Sequence, residues 1–213
     1  MSENKNSSCT IIDVDNWDRK EHFYAFRNMV DPCNTITFEL DITNFYNMVK
    51  RKKLSFTLAM VYASAKCARE VEAFRYRFLN GKVVLYNDLK TRFSYKSPED
   101  KYFRTIEAPL KDTLEEYITS ARISIEKQKF TFPEPEGYDY VYCASNPFIS
   151  YTSISHTLTG NESDAVPLLG WGKFFTRNDR IIIPYTLKTN HCFVDGSDYG
   201  VFVNKLVQYI EEC

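Results

Sequence analysis

The run Ile181-Ile182-Ile183-Pro184-Tyr185-Thr186-Leu187 is apolar enough for a buried strand, and shortly after it comes His191-Cys192-Phe193-Val194-Asp195-Gly196. An amphipathic segment, residues 199–212, follows. Strand, corner and helix in that order put His191 where a strand ends and Asp195-Gly196 in the turn before the last helix. The strand fixes the backbone while the corner leaves side chains accessible, a setting in which catalytic groups are often found. A neutral imidazole there takes a proton near pH 7, as a general base for an alcohol nucleophile must. Asp195, on a curved turn, is free to pair with a group other than His191. Taken alone the pattern specifies three positions, and a histidine at a strand end is more often structural than catalytic.

The rest of the chain supplies the context. Asp15-Asn16-Trp17-Asp18-Arg19 reads as a helix start, with Asp15 as N-cap and Asp18 in the first turn. Trp17, Phe23, Phe26 and Met29 line one face of that helix, which ends before Pro32. Residues 34–42 alternate, with Ile36, Phe38, Leu40 and Ile42 on one side, as in a strand with one buried face. A short helix begins at Thr43, and a longer one spans residues 55–72 with Leu58, Val61, Ala65, Ala68 and Val71 at helical spacing. That stripe is core. Asn80-Gly81 between residues 74–79 and 82–86 marks a hairpin, because this dipeptide supplies the positive φ angles of a tight turn. Strands follow at residues 91–95 and 102–107, then a charged amphipathic helix at 112–129 and a Pro/Gly loop at 130–138. The last third predicts strands at residues 139–144, 148–154, 170–176 and 180–189, with Asn178-Asp179 joining the last two. Ser197 or Asp198 caps the closing helix. Helices and strands mix without a regular βαβ rhythm, which predicts an α/β, two-layer α+β sandwich: a mixed, mostly antiparallel sheet with helices on one side.

With 213 residues the chain is expected to be one domain, residues 1–213, with 1–10 a flexible N-terminus. The net charge of −1 gives no electrostatic footprint for nucleic acid or an anionic membrane. The basic run Lys50-Arg51-Lys52-Lys53 is a solvated loop between helices. Six scattered cysteines lack any C-x-x-C pair, and the three histidines are far apart, so no zinc site is expected. Cys67 and Cys143 fall on apolar segments as small core residues. Residues 1–10 lack a signal peptide's apolar stretch, and no run is long enough to span a membrane. These features predict a reduced, soluble, cytoplasmic protein.

Four stretches together resemble one family. Asp15-Asn16-Trp17-Asp18-Arg19-Lys20-Glu21-His22-Phe23, Leu40-Asp41-Ile42-Thr43, Ser145-Asn146-Pro147-Phe148-Ile149-Ser150-Tyr151-Thr152-Ser153 and His191-xxx-Asp195-Gly196 are similar, in order and spacing, to motifs of the chloramphenicol acetyltransferases. The resemblance runs over nearly the whole chain and implies that family's fold. It also implies transfer of an acetyl group from acetyl-CoA to a hydroxyl of chloramphenicol in a ternary complex, without an acyl-enzyme or a metal. A role in antibiotic resistance goes with that activity. His191 matches the general base. Asp195 matches an aspartate that is no relay partner but pairs with an arginine of the N-terminal motif, here Arg19, to hold the active-site loop. A bidentate Arg–carboxylate pair suits such a clamp. The resemblance further implies a homotrimer with active sites at subunit interfaces, the histidine facing a neighbour's pocket.

The chain departs from the family pattern at places that bear on substrate. Asn190 replaces the first histidine of His-His-xxx-Asp-Gly. Ala144 stands where the family has its oxyanion-binding serine, and Gly170 where it has a threonine; both changes remove a hydroxyl. Loss of one oxyanion donor commonly costs about 10²–10³ in rate. Ser145 is the candidate substitute donor, although neighbours on a strand point to opposite faces. The resemblance makes Phe26, Phe103 and His156 the acceptor contacts. Phe26 replaces a tyrosine and His156 an apolar pocket residue. His156 needs a polar substrate group or a neighbouring backbone partner. These departures leave two alternatives: a related acetyltransferase for another hydroxyl acceptor, or a ligand-binding protein that has lost catalysis.

Overall fold

The computed structural model describes residues 9–213. Strand β1 (Cys9–Ile11) and a 3-10 turn at Val14–Asn16 lead into α1 (Lys20–Arg27). Strand β2 (Cys33–Asp41) is followed by α2 (Thr43–Arg51) and α3 (Phe56–Arg69). Next come β3 (Tyr76–Leu79), β4 (Lys82–Tyr86), β5 (Lys90–Tyr95), β6 (Arg104–Ala108) and α4 (Leu114–Lys127). The last third holds β7 (Tyr140–Ser145), β8 (Leu168–Trp171), β9 (Phe175–Arg177), β10 (Arg180–Asn190) and α5 (Gly196–Glu211).

The main sheet runs β2-β10-β8-β7-β5-β6, and β9 adds to β10. Its β2–β10, β10–β8, β10–β9 and β5–β6 pairings are antiparallel, while β5–β7 and β7–β8 are parallel. The mixed, mostly antiparallel sheet of the sequence reading is therefore present. The Asn80-Gly81 hairpin forms with φ of 52° and 74°, and the left-handed values give the turn a twist that matches its strands. Its strands leave the main sheet and pair with β1 as a separate three-stranded sheet, order β1-β4-β3.

Alternation along β10 sets the two faces of the sheet. Ile183, Tyr185 and Leu187 are fully buried on the helix side, where the Tyr185 hydroxyl donates to Ser64 Oγ of α3 at 2.7 Å. Helix α3 is buried on nearly every side and packs on α4, α5, β5 and β7, so its apolar residues extend well beyond one stripe. Each fully buried Leu, Val or Phe there contributes about 1.5–3 kcal/mol. Cys67 and Cys143 are buried in this core as expected.

Several boundaries differ from the sequence reading. Asp15 is not the cap of α1: Asp13 caps the 3-10 turn, and α1 starts at Lys20 with Arg19 in the N-cap position. Arg19 makes no side-chain cap, because a guanidinium has donors only and a cap must accept a backbone N–H. Of the predicted strand 148–154 nothing forms: Asn146 Oδ1 accepts the Phe148 N–H at 3.3 Å, and the chain loops over the sheet. Phe148 and Ile149 are exposed, so the apolar pattern there does not mark a buried strand face. The predicted strand 170–176 is broken into β8 and β9 around Gly172. Opposite the break Pro184 has no N–H for the ladder, and Gly172 fits only because it lacks a side chain. A Cβ there would lie 2.7 Å from Pro184 Cγ and 2.8 Å from Ile149 O. The closing helix is capped by Asp195, not by Ser197 or Asp198. Of the stretch expected to be flexible, residues 1–8 lie outside the described residues, and Cys9 and Thr10 belong to β1.

Candidate active site

Strand β10 stops at Asn190 because the chain turns sharply there. Asn190 Oδ1 accepts the Cys192 N–H at 3.0 Å, and its carbonyl accepts those of Phe193 at 3.0 Å and Val194 at 3.1 Å. The sequence reading gave Asn190 no role beyond replacing a histidine; the structure makes it the hub of this corner. Cys192, Phe193 and Val194 are buried, and Phe193 joins a cluster with Trp17, Phe23, Tyr76 and Phe78. The corner is thereby anchored, and His191 is left half-buried on its outer side.

His191 Nδ1 lies 3.0 Å from Val194 O. A carbonyl oxygen only accepts, so Nδ1 carries the proton and Nε2 keeps its lone pair. The ring of Phe26 stacks on the imidazole, with centroids 3.8 Å apart and planes at 18°.

Asp195 makes no hydrogen bond to His191. Its Oδ1 accepts from Ser197 N at 2.9 Å and Ser197 Oγ at 2.6 Å, and its Oδ2 meets Arg19 Nη1 at 3.0 Å. The pair is not the bidentate fork expected from sequence. Arg19 instead spreads its donors, with Nε giving to Cys192 O at 3.0 Å and Nη2 to His191 O at 3.4 Å. One guanidinium thus grips the carbonyls of the histidine and of the residue after it, together with the carboxylate that caps α5. The Ser197 hydroxyl, and after it Arg19, hold the Asp195 carboxyl well below the usual carboxylate range. Asp198, which accepts the Asp195 N–H at 2.9 Å to complete the capping box, is pushed up by burial.

Ala144, Gly170, Thr186 and Thr37 stand in register across β7, β8, β10 and β2. Alternation puts them on the face away from the helices, opposite Cys143, Leu169 and Leu187. Ser145 belongs to the other set, level with Trp171 and Tyr185. His156, in the loop over this face, brings Nε2 to 3.6 Å from where a Gly170 Cβ would be. Lys188, which the sequence reading missed, neighbours it. A lysine inside an otherwise buried strand was the available signal.

The site residues fall into separate groups. Arg19, Phe26, His191 and Asp195 form one. Ala144, Gly170, His156 and Lys188 form another, and the Gly170 level of β10 is Thr186, five residues before His191, or roughly 17 Å of strand. Phe103 lies with neither: it precedes β6 at the far edge, half-exposed and edge-on to Phe132 at 5.5 Å. On the face away from the helices, a cleft of about 480 Å³ opens between Thr37, Glu39, Tyr151 and Pro184. Among the described residues no three His, Cys, Asp or Glu side chains are grouped to hold a metal, and no helix is long and apolar enough to cross a membrane.

The sequence profile of the chloramphenicol acetyltransferase family matches residues 7–207. A chloramphenicol acetyltransferase of Klebsiella sp is 25% identical over 214 residues, covering 99% of this chain and 97% of that protein. One of Bacillus pumilus is 27% identical over 203 residues, covering 93% and 92%. A solved chloramphenicol acetyltransferase structure superposes with a TM-score of 0.85 at 29% identity, covering 95% of this chain and all of that one. The fold is that of an acyltransferase. The chain belongs to the chloramphenicol acetyltransferase family.

Proposed function

We propose that the chain is an acetyl-CoA-dependent O-acetyltransferase acting on a hydroxyl of chloramphenicol, with His191 as general base. The observation that carries this is the Nδ1–Val194 hydrogen bond, which leaves Nε2 as the basic nitrogen on a corner clamped by Arg19. In the reaction, Nε2 takes the hydroxyl proton as the oxygen attacks the thioester carbon. The tetrahedral intermediate collapses, the C–S bond breaks, and the CoA thiolate receives the proton from the imidazolium. Arg19 and Asp195 are positioning residues for the corner, and Phe26 fixes the plane of the base and contacts the acceptor.

Two groups of site residues, separated along one chain, support a site assembled from two copies, with His191 of one facing Gly170 and His156 of another. A homotrimer is the assembly we propose, and Phe103 is an acceptor contact in that arrangement. The free cysteines fit a reducing, cytoplasmic setting.

A second reading is favoured by the bare positions Ala144 and Gly170 together with the unpartnered His156 nitrogen: the preferred acceptor is a different hydroxyl compound. Ser145, on the opposite set of its strand, is a weak substitute for the oxyanion donor. The test is thiol release from acetyl-CoA by purified protein with and without chloramphenicol. Acceptor-dependent release that His191→Ala lowers by about 10²–10⁴-fold, with its circular dichroism unchanged, supports the first reading. Release in the variant equal to wild type refutes the base. Faster turnover of another alcohol supports the second reading, and ligand binding without any thiol release supports a binding protein.

A further inference from the structure

On the sheet face turned away from the helices Ala144 carries only a methyl group and Gly170 no side chain, and the buried Gly170 lies against His156. A Cβ on Gly170 would meet Ala144 O at 3.4 Å, His156 Nε2 at 3.6 Å and Leu168 Cδ2 at 3.6 Å, all ordinary contact distances. The Nε2 atom is enclosed and has no hydrogen-bond partner. Lys188, only 8% exposed, donates from Nζ to Thr157 O at 2.9 Å, one residue from His156. Among the described residues no carboxylate pairs with it. An ammonium has three donors, so capacity remains.

Burial, and after it the Lys188 charge, push the His156 pKa down, which keeps the ring neutral near pH 7. The tautomer with its proton on Nε2 donates into the same region as Lys188. An enclosed nitrogen without a partner destabilises the fold unless something completes it. An oxygen that accepts hydrogen bonds is the complement of both groups, whereas an apolar substrate head leaves the His156 nitrogen without a partner.

We propose that His156 and Lys188 form a polar subsite beside Gly170 that receives a hydrogen-bond-accepting oxygen of the acceptor substrate, which makes His156 a specificity-determining residue. The inference rests on the acetyl-transfer reading and deepens it by naming the acceptor's chemistry away from the reacting hydroxyl.

The test uses two alcohols of similar size, para-hydroxymethylbenzoate and para-methylbenzyl alcohol, with wild type, His156→Leu and His156→Gln. The readouts are kcat/KM from thiol release and affinity from calorimetry. Wild type is expected to favour the carboxylate by about tenfold or more. In His156→Leu the ratio is expected to fall below about twofold, through a larger loss on the carboxylate than on the methyl compound, and His156→Gln, which keeps a donor, to restore part of it. A ratio unchanged in His156→Leu, or a wild-type preference for the methyl compound, overturns the subsite. If neither alcohol releases thiol, the acetyl-transfer reading has failed for these acceptors, and calorimetry decides the subsite alone. A carboxylate preference in binding that His156→Leu abolishes upholds it; equal affinities, or no binding of either, overturn it.

Discussion

Arg19 Nη1 lies 3.0 Å from Asp195 Oδ2 across 176 residues of chain, joining the residue before the first helix to the cap of the last. The same side chain donates to the carbonyls of His191 and Cys192, so it holds the histidine's backbone. Its planar fork matters as much as its charge. Arg19→Ala is expected to lower stability by about 1–3 kcal/mol and to cut kcat more than KM. Arg19→Lys, with a point charge in place of the fork, should recover little of either. Denaturant titration and steady-state kinetics check this, and full kcat in Arg19→Lys would remove the positioning role. The Asp195 carboxyl is held below the ordinary carboxylate range, so its contribution is fully present above about pH 4 and fades only as pH falls below that range.

Phe26 covers one face of the His191 ring. Stacked pairs of this kind are worth about 0.5–1.5 kcal/mol. Phe26→Ala is therefore expected to lower kcat by roughly 3- to 10-fold through a looser His191 ring, while Phe26→Tyr, which keeps the stack, stays close to wild type. Kinetics at saturating acetyl-CoA separate the two variants; equal losses in both would place the residue's importance elsewhere.

Gly172 admits no side chain without displacing Pro184, the Ile149 carbonyl or Tyr151. Gly172→Ala is expected to destabilise the protein by about 1–3 kcal/mol, because one of the crowding atoms is backbone. Gly170→Ala, with contacts of 3.4 Å and beyond, should be far milder. Thermal unfolding of the two variants side by side is the measurement, and equal melting temperatures would contradict the packing around Gly172.

His156 gives the fold a pH dependence with a definite sign. Its folded pKa lies below the usual value of about 6.5 through burial and the Lys188 charge, so below that pH the unfolded chain binds the proton first. Stability from this group is complete above about pH 6.5 and is lost as pH falls from there toward the folded pKa. In His156→Leu that part of the dependence disappears, so the gap in stability between wild type and variant should shift in the variant's favour on going from about pH 7.5 to 5.5. Denaturant midpoints at the two values measure it; a constant gap would mean that His156 titrates as it does in water.

Local sequence determined most of the elements. The periodicity of residues 55–72 gave α3, Asn80-Gly81 gave a hairpin with two positive φ angles, and the apolar run after Arg180 gave the long strand that ends beside His191. These features depend on neighbours in the chain, and the physics that forms them acts over a few residues. The histidine corner was legible too, as a piece of structure, because strand end, histidine, aspartate and helix are consecutive. Packing decided what the sequence did not. Residues 148–154 have a strand's composition yet loop over the sheet, and Pro184 with Gly172 divides one expected strand into two. Asp195 became the helix cap, and Arg19 spread over three acceptors instead of forming a fork. Lys188 and His156 came together beside Gly170 because their burial depends on strands distant in sequence settling into register. Hydrogen-bond partners and free space of that kind are properties of the assembled sheet, and only the tertiary structure could fix them.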